Sequence, residues 1–139
     1  MKVFLLMSPD QDSLRIVDRM SYEGYQVFQA HDQEQAYSIV GENQIQVAII
    51  DVETSCQTFI ENLRRIDTTN YIYIFAMIPE ARELNRNEWI EITADEYLFK
   101  PVEPDELIAR LVVVNRYSQT LTDIRSKQNY TEPIRDPIT

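Results

Sequence analysis

The sequence predicts an α/β domain: a doubly wound, five-stranded parallel sheet with helices on both faces. Three observations carry this expectation. Apolar runs of strand length alternate with segments of helical periodicity along the chain. Two of those runs, residues 3–7 and 45–50, are almost wholly apolar, as strands buried on both faces are. The connections are tight, and strand–helix–strand units of this kind close as parallel sheets.

The elements follow in order. Residues 3–7 make the first strand. Ser8, Pro9 and Gln11 read as a helix start, with Ser8 as N-cap, Pro9 at the first helical position and Gln11 three residues past the cap. Ile16, Val17 and Met20 share one face, and Gly24 ends the helix. Residues 25–30 form a second strand. A second helix covers residues 33–40, with Ala36, Ile39 and Val40 inward and Gly41 as its stop. Residues 45–50 are a third strand that runs directly into Asp51. Phe59, Ile60, Leu63 and Ile66 stand at helical spacing. Residues 71–77, rich in β-branched and aromatic side chains, are a fourth strand. Residues 80–92 are polar and weakly amphipathic and read as a helix. Residues 97–99 are a short fifth strand. Pro104, Asp105 and Glu106 open the last helix, with two acids at its positive end.

Composition bounds the function. The 139 residues are 44% hydrophobic and 26% charged, enough for one core and an ordinary polar surface. The net charge of −10 repels phosphate backbones, so no nucleic-acid partner is expected. Cys56 is the one cysteine and His31 the one histidine, which excludes an internal disulfide, a cysteine-based zinc site and a histidine cluster. A lone cysteine without a basic neighbour is ordinarily inert, and His31 falls on the surface after the second strand. No apolar run reaches membrane length, and the first is too short for a signal peptide. The expectation is a soluble, cytoplasmic chain with no membrane partner.

In doubly wound sheets, sites lie at the carboxyl ends of the strands. That singles out Ser8, Asp51, Ala76 and Lys100. Taken alone, Asp51 is equally a turn acid and Lys100-Pro101 a surface turn. Together they can face one another as an ion pair. The segment Ala94-Asp95-Glu96-Tyr97-Leu98-Phe99-Lys100-Pro101-Val102 resembles the fifth-strand signature of response-regulator receiver domains. Ala30-His31-Asp32-Gln33-Glu34-Gln35-Ala36 is similar to their second strand and helix, and Gln44-Ile45-Gln46-Val47-Ala48-Ile49-Ile50-Asp51 to their third strand. The resemblance covers residues 1–118. It implies a flavodoxin-like receiver fold with strand order 2-1-3-4-5, Asp51 as phosphoacceptor for a cognate histidine kinase, Lys100 as the phosphate-pairing cation, and a cis peptide bond before Pro101.

The same resemblance exposes departures. The family's two Mg²⁺-binding acids fall on Met7 and Ser8, and its phosphate-binding hydroxyl falls on Ala76. Tyr97 takes the place of the aromatic that swings toward that hydroxyl, and beside Ala76 it is expected to be fixed by packing. A thioether and a neutral hydroxyl are poor Mg²⁺ ligands, leaving Asp51, with Glu53 two residues on, for weak metal binding at most. No cofactor is expected. Asp10 and Asp12 should sit on the first turns of the first helix. The loop after Asp51, through Cys56, lacks the family's usual elements.

Leu107, Leu111 and Val114 face the sheet, after which the last helix outruns the domain. Val114, Tyr117, Leu121 and Ile124 are spaced 3, 4 and 3, a short heptad seam. The helical signal stops after Gln128. Residues 130–139 hold Pro133 and Pro137 and no core pattern, which divides the chain into a domain at 1–118 and a linker helix and tail at 119–139. Arg135-Asp136-Pro137-Ile138-Thr139 resembles the start of GGDEF (diguanylate cyclase) domains, implying a receiver joined to a C-terminal output domain. Three readings of the pocket stand open. It is a degenerate receiver acting by homodimerisation, or a conventional receiver phosphorylated at Asp51 with Glu53 or Asp10 as substitute ligands, or a pseudo-receiver for a small ligand. The last lacks a glycine-rich phosphate loop. No nucleophile–base pair marks the chain itself as an enzyme.

Overall fold

A strand covered on both sides needs apolar side chains above and below the sheet, and all five runs supply them. In the computed structural model, which describes residues 1–52, 57–66, 71–78 and 93–128, they form β1 (Lys2–Leu6), β2 (Gln26–Ala30), β3 (Val47–Asp51), β4 (Tyr73–Ile78) and β5 (Glu96–Phe99). All pairings are parallel, in the order β2-β1-β3-β4-β5. Period-2 alternation sorts the side chains. Phe4, Leu6, Ala48, Ile50, Ile74 and Ala76 face one layer, and Val3, Leu5, Val47, Ile49, Phe75 and Met77 the other. The first layer is closed by α2 (Gln33–Glu42) and α3 (Gln57–Arg65), the second by α1 (Gln11–Tyr22) and α4 (Pro104–Gln128). The expected helix at 80–92, Glu53, Cys56 and the tail at 130–139 lie outside the described residues.

Helix ends correct the sequence reading in two places. The N-cap of α1 is Asp10, not Ser8. Asp10 Oδ1 accepts from Ser13 N at 2.8 Å while Asp10 N donates to Ser13 Oγ at 2.9 Å, a reciprocal capping box. Ser8 and Pro9 therefore precede the helix. α2 runs through Gly41 to Glu42, because Asn43 caps it: its backbone and side-chain N–H groups both donate to Ile39 O, at 3.1 and 2.9 Å. Gly24, at φ +93°, does end α1 as its sequence signals.

The strand entrances of β4 and β5 are tied by one carboxylate. Asp95 accepts from Arg64 Nη2 at 2.8 Å, Tyr71 Oη at 2.6 Å and Ile74 N at 2.7 Å. Arg64 also donates to Ile72 O at 2.8 Å and lies over the Tyr71 ring. This joins the end of α3 to both strands. Next to it, Glu96 pairs with Arg110 of α4 at 3.2 Å.

Tyr73 sits beside these acids. Burial, then the negative charge of Glu96 and Asp95, pushes its phenol up from 10.0 to about 12. A phenol whose folded value is raised contributes stability that is complete below pH ~10 and lost as the pH climbs through ~12. Urea midpoints measured from pH 9 to 12 should therefore fall less steeply in Tyr73→Phe than in the wild type. An identical slope in both proteins would show that Tyr73 contributes nothing to alkaline unfolding.

Candidate functional site

The site is built where the apolar strands stop. Every residue of β3 is buried, and its last, Asp51, is 1% exposed. Val52 N donates to Met77 O at 3.2 Å, continuing the β3–β4 ladder one step past the acid. Its backbone is thereby fixed, and the carboxylate is held at the carboxyl rim of the sheet.

Two strands away, β5 pairs with β4 as far as Ile78↔Phe99, and Lys100 N then donates to Ile78 O at 2.8 Å. That bond places Lys100 beyond the end of β4, and its Nζ crosses the rim to hydrogen-bond Asp51 Oδ2. The Lys100 side chain is 19% exposed, so the pair is largely desolvated. The Lys100–Pro101 peptide bond is cis. The structure therefore brings together the two residues that the sequence singles out separately.

The other positions surround this pair with neutral groups. β1 and β3 are matched through Leu6↔Ile50, so Met7 and Asp51 follow as neighbours at the rim. Met7 is buried in the α1–α4 layer, and Ser8 is exposed. Asp10 is committed to capping α1, and Asp12 forms an exposed pair with Arg15 at 3.7 Å. Among the described residues, no three His, Cys, Asp or Glu side chains gather as a metal site. Among the described residues, the donors at this rim are a buried thioether and a hydroxyl beside one lysine-paired carboxylate, and these do not by themselves fit Mg²⁺, which takes several hard oxygens. Glu53 lies outside the described residues.

Ala76 is buried and stands opposite Ile50 on one side and Tyr97 on the other. It is not just beyond β4, as its sequence position suggests, because the strand continues to Ile78. Tyr97 is half-buried against the α2–α3 layer. His31 is exposed after β2. The sequence reading gave no role to Asp95, Arg64 or Tyr71. Asp95 was visible in the fifth-strand motif, but its partners come from residues 24 and 31 positions upstream, a pairing that no local spacing encodes.

The buried pair has a measurable energetic signature. Removing one member of such a pair strands the other charge, at a cost of about 3–5 kcal/mol. Lys100→Met should lower unfolding free energy in urea by about 3 kcal/mol, and adding Asp51→Asn should return most of that loss. A double variant no more stable than Lys100→Met would contradict the pairing.

Comparison with known proteins agrees with this geometry. The family model described as "Response regulator receiver domain" matches residues 5–112. The chain is 29% identical over 119 residues to the transcriptional regulatory protein CpxR of Escherichia coli K12, covering 85% of this chain and 51% of that protein. It is 28% identical over 117 residues to the phosphate regulon transcriptional regulatory protein PhoB of Pseudomonas aeruginosa, covering 81% and 51%. The crystal structure of a two-component response regulator from Clostridium difficile superposes with a TM-score of 0.71 at 17% identity, covering 84% of this chain and 96% of that one. The chain spans about half the length of the curated relatives it matches. No helix among the described residues is long and apolar enough to cross a membrane. With its 2-1-3-4-5 sheet and its strand-end acid and lysine, the chain belongs to the response-regulator receiver domain family.

Proposed function

We propose that this receiver domain is a degenerate regulatory module of a two-component response regulator. It signals by homodimerisation to a linked C-terminal output domain, without metal-assisted phosphoryl transfer. The reading rests on one observation: the rim beside Asp51 offers the thioether of Met7 and the hydroxyl of Ser8 where a divalent ion requires carboxylates. Metal charge stabilisation in phosphoryl transfer is worth several kcal/mol, and each ~1.4 kcal/mol is tenfold in rate. Lys100 alone must then offset the incoming charge. Ala76 supplies no hydroxyl to draw a phosphoryl group inward or to move Tyr97.

The output domain is a GGDEF-like cyclase on the strength of residues 135–139, while the relatives named above are transcriptional regulators. The acidic charge argues against nucleic-acid contact by this domain and is silent on a linked one. A cytoplasmic location follows from the family's role. The regulatory domain itself is not an enzyme. A conventional phospho-accepting switch driven by a histidine kinase is the second reading, favoured by the intact Asp51–Lys100 pair.

Acetyl phosphate and Mg²⁺ separate the two. Intact-mass spectrometry should find no phosphoryl adduct on the wild type, and an adduct on Met7→Asp/Ser8→Asp that disappears with Asp51→Asn. A wild-type adduct lost in Asp51→Asn establishes the second reading instead.

A further inference from the structure

The inward contacts of α4 end at Leu107, Ile108, Leu111 and Val114, yet the helix continues to Gln128. Every described side chain past Val114 is exposed: Asn115, Arg116, Tyr117, Thr120, Asp123 and Ile124. About fourteen residues, some 20 Å of helix, thus project without a core of their own, a length that is marginal for an isolated helix in water.

Beside Val112, which points elsewhere, three exposed apolar residues on this helix define a line. Val113 is 49% exposed, Tyr117 59% and Ile124 47%. With Thr120 they are spaced 4, 3 and 4 residues apart, and at 100° per residue they fall within an arc of about 60°. This is the 3.5-residue seam of a helix pair. It keeps Tyr117 and Ile124 of the seam expected from sequence and differs at its start, because Val114 is buried in its own domain.

We propose that α4 pairs antiparallel with α4 of a second copy of this chain along Val113, Tyr117, Thr120 and Ile124. The inference rests on the homodimer reading above and adds its surface and orientation. Charge selects the orientation. Arg116 and Asp123 lie on the same flank of the seam, seven residues apart. In an antiparallel pair that flank meets itself reversed. Val113 then lies opposite Ile124 of the second copy, Tyr117 opposite Thr120, and Arg116 beside Asp123, twice by symmetry. In a parallel pair the same flank meets positions 121 and 128, a leucine and a glutamine, and gains no ion pair. The antiparallel pair is closed and isologous, and it frees no second seam for further growth.

Single-cysteine variants in a Cys56→Ser background test the orientation. A mixture of Val113→Cys and Ile124→Cys should oxidise to a mixed disulfide dimer about tenfold in excess of either self-linked species. In sedimentation experiments, Arg116→Glu should weaken the dimer about five- to tenfold, the effect expected when two exposed ion pairs are lost. Adding Asp123→Lys should bring it back to within about twofold. Self-linking of Ile124→Cys in excess of the mixed species would show a parallel pair; it would overturn this proposal and leave the dimer reading standing. A wild-type chain that stays monomeric at high micromolar concentration would overturn both. The substituted positions on α4 are exposed, and circular dichroism checks that each variant folds.

Discussion

Asp51 is a carboxylate at the end of a strand with no exposed residue, and burying such a group without a compensating cation is costly. Lys100 supplies the compensation from two strands away. The constraint reaches through the sheet: Lys100 arrives only if β4 lies between in register with both neighbours, and only if β5 is anchored at both ends. The Lys100–Ile78 backbone bond anchors one end, and the Asp95 cluster with Arg64 and Tyr71 anchors the other. Polar chemistry therefore brackets an apolar sheet, with the candidate site at the carboxyl rim and a structural lock at the entrance.

The surroundings of that pair bear on how a signal leaves the domain. A pocket with two further acids would compete for the lysine and hold a cation. Here the described residues that follow β1 are a thioether packed into the core and a solvent-facing serine, beside the Asp51–Lys100 pair. Ala76 and Tyr97 face each other across β4 and β5 as packing partners. On the proposed reading, the information the domain passes on lies in whether α4 meets its counterpart, not in a rearrangement at Asp51.

Much of this was legible in the residues. Continuous apolar runs declared buried parallel strands, and Asp51 and Lys100 stood out because each is the first charged group after such a run. Helix ends were harder. Ser8-Pro9 carries a helix-start signature, but Asp10 and Ser13 form a reciprocal cap that outcompetes it. Gly41 reads as a stop, but Asn43 caps with both its nitrogens. Val114, with which the seam expected on α4 begins, is buried: heptad spacing alone cannot tell a valine that faces its own sheet from one that faces outward. Asp95 shows the wider limit: its three partners come from α3, the segment before β4, and β4 itself, and only the tertiary fold assembles them.

The most direct test of the central claim is a Mn²⁺ titration followed by amide-resolved NMR, because a paramagnetic ion broadens only the signals near which it sits. If no divalent site forms at the rim, the Asp51 and Val52 amides should broaden no more than those beside exposed surface acids such as Asp32 and Glu34. Selective loss of the Asp51 and Val52 signals at low metal concentration would contradict it, and would mean that oxygens at this rim do assemble a divalent cation site.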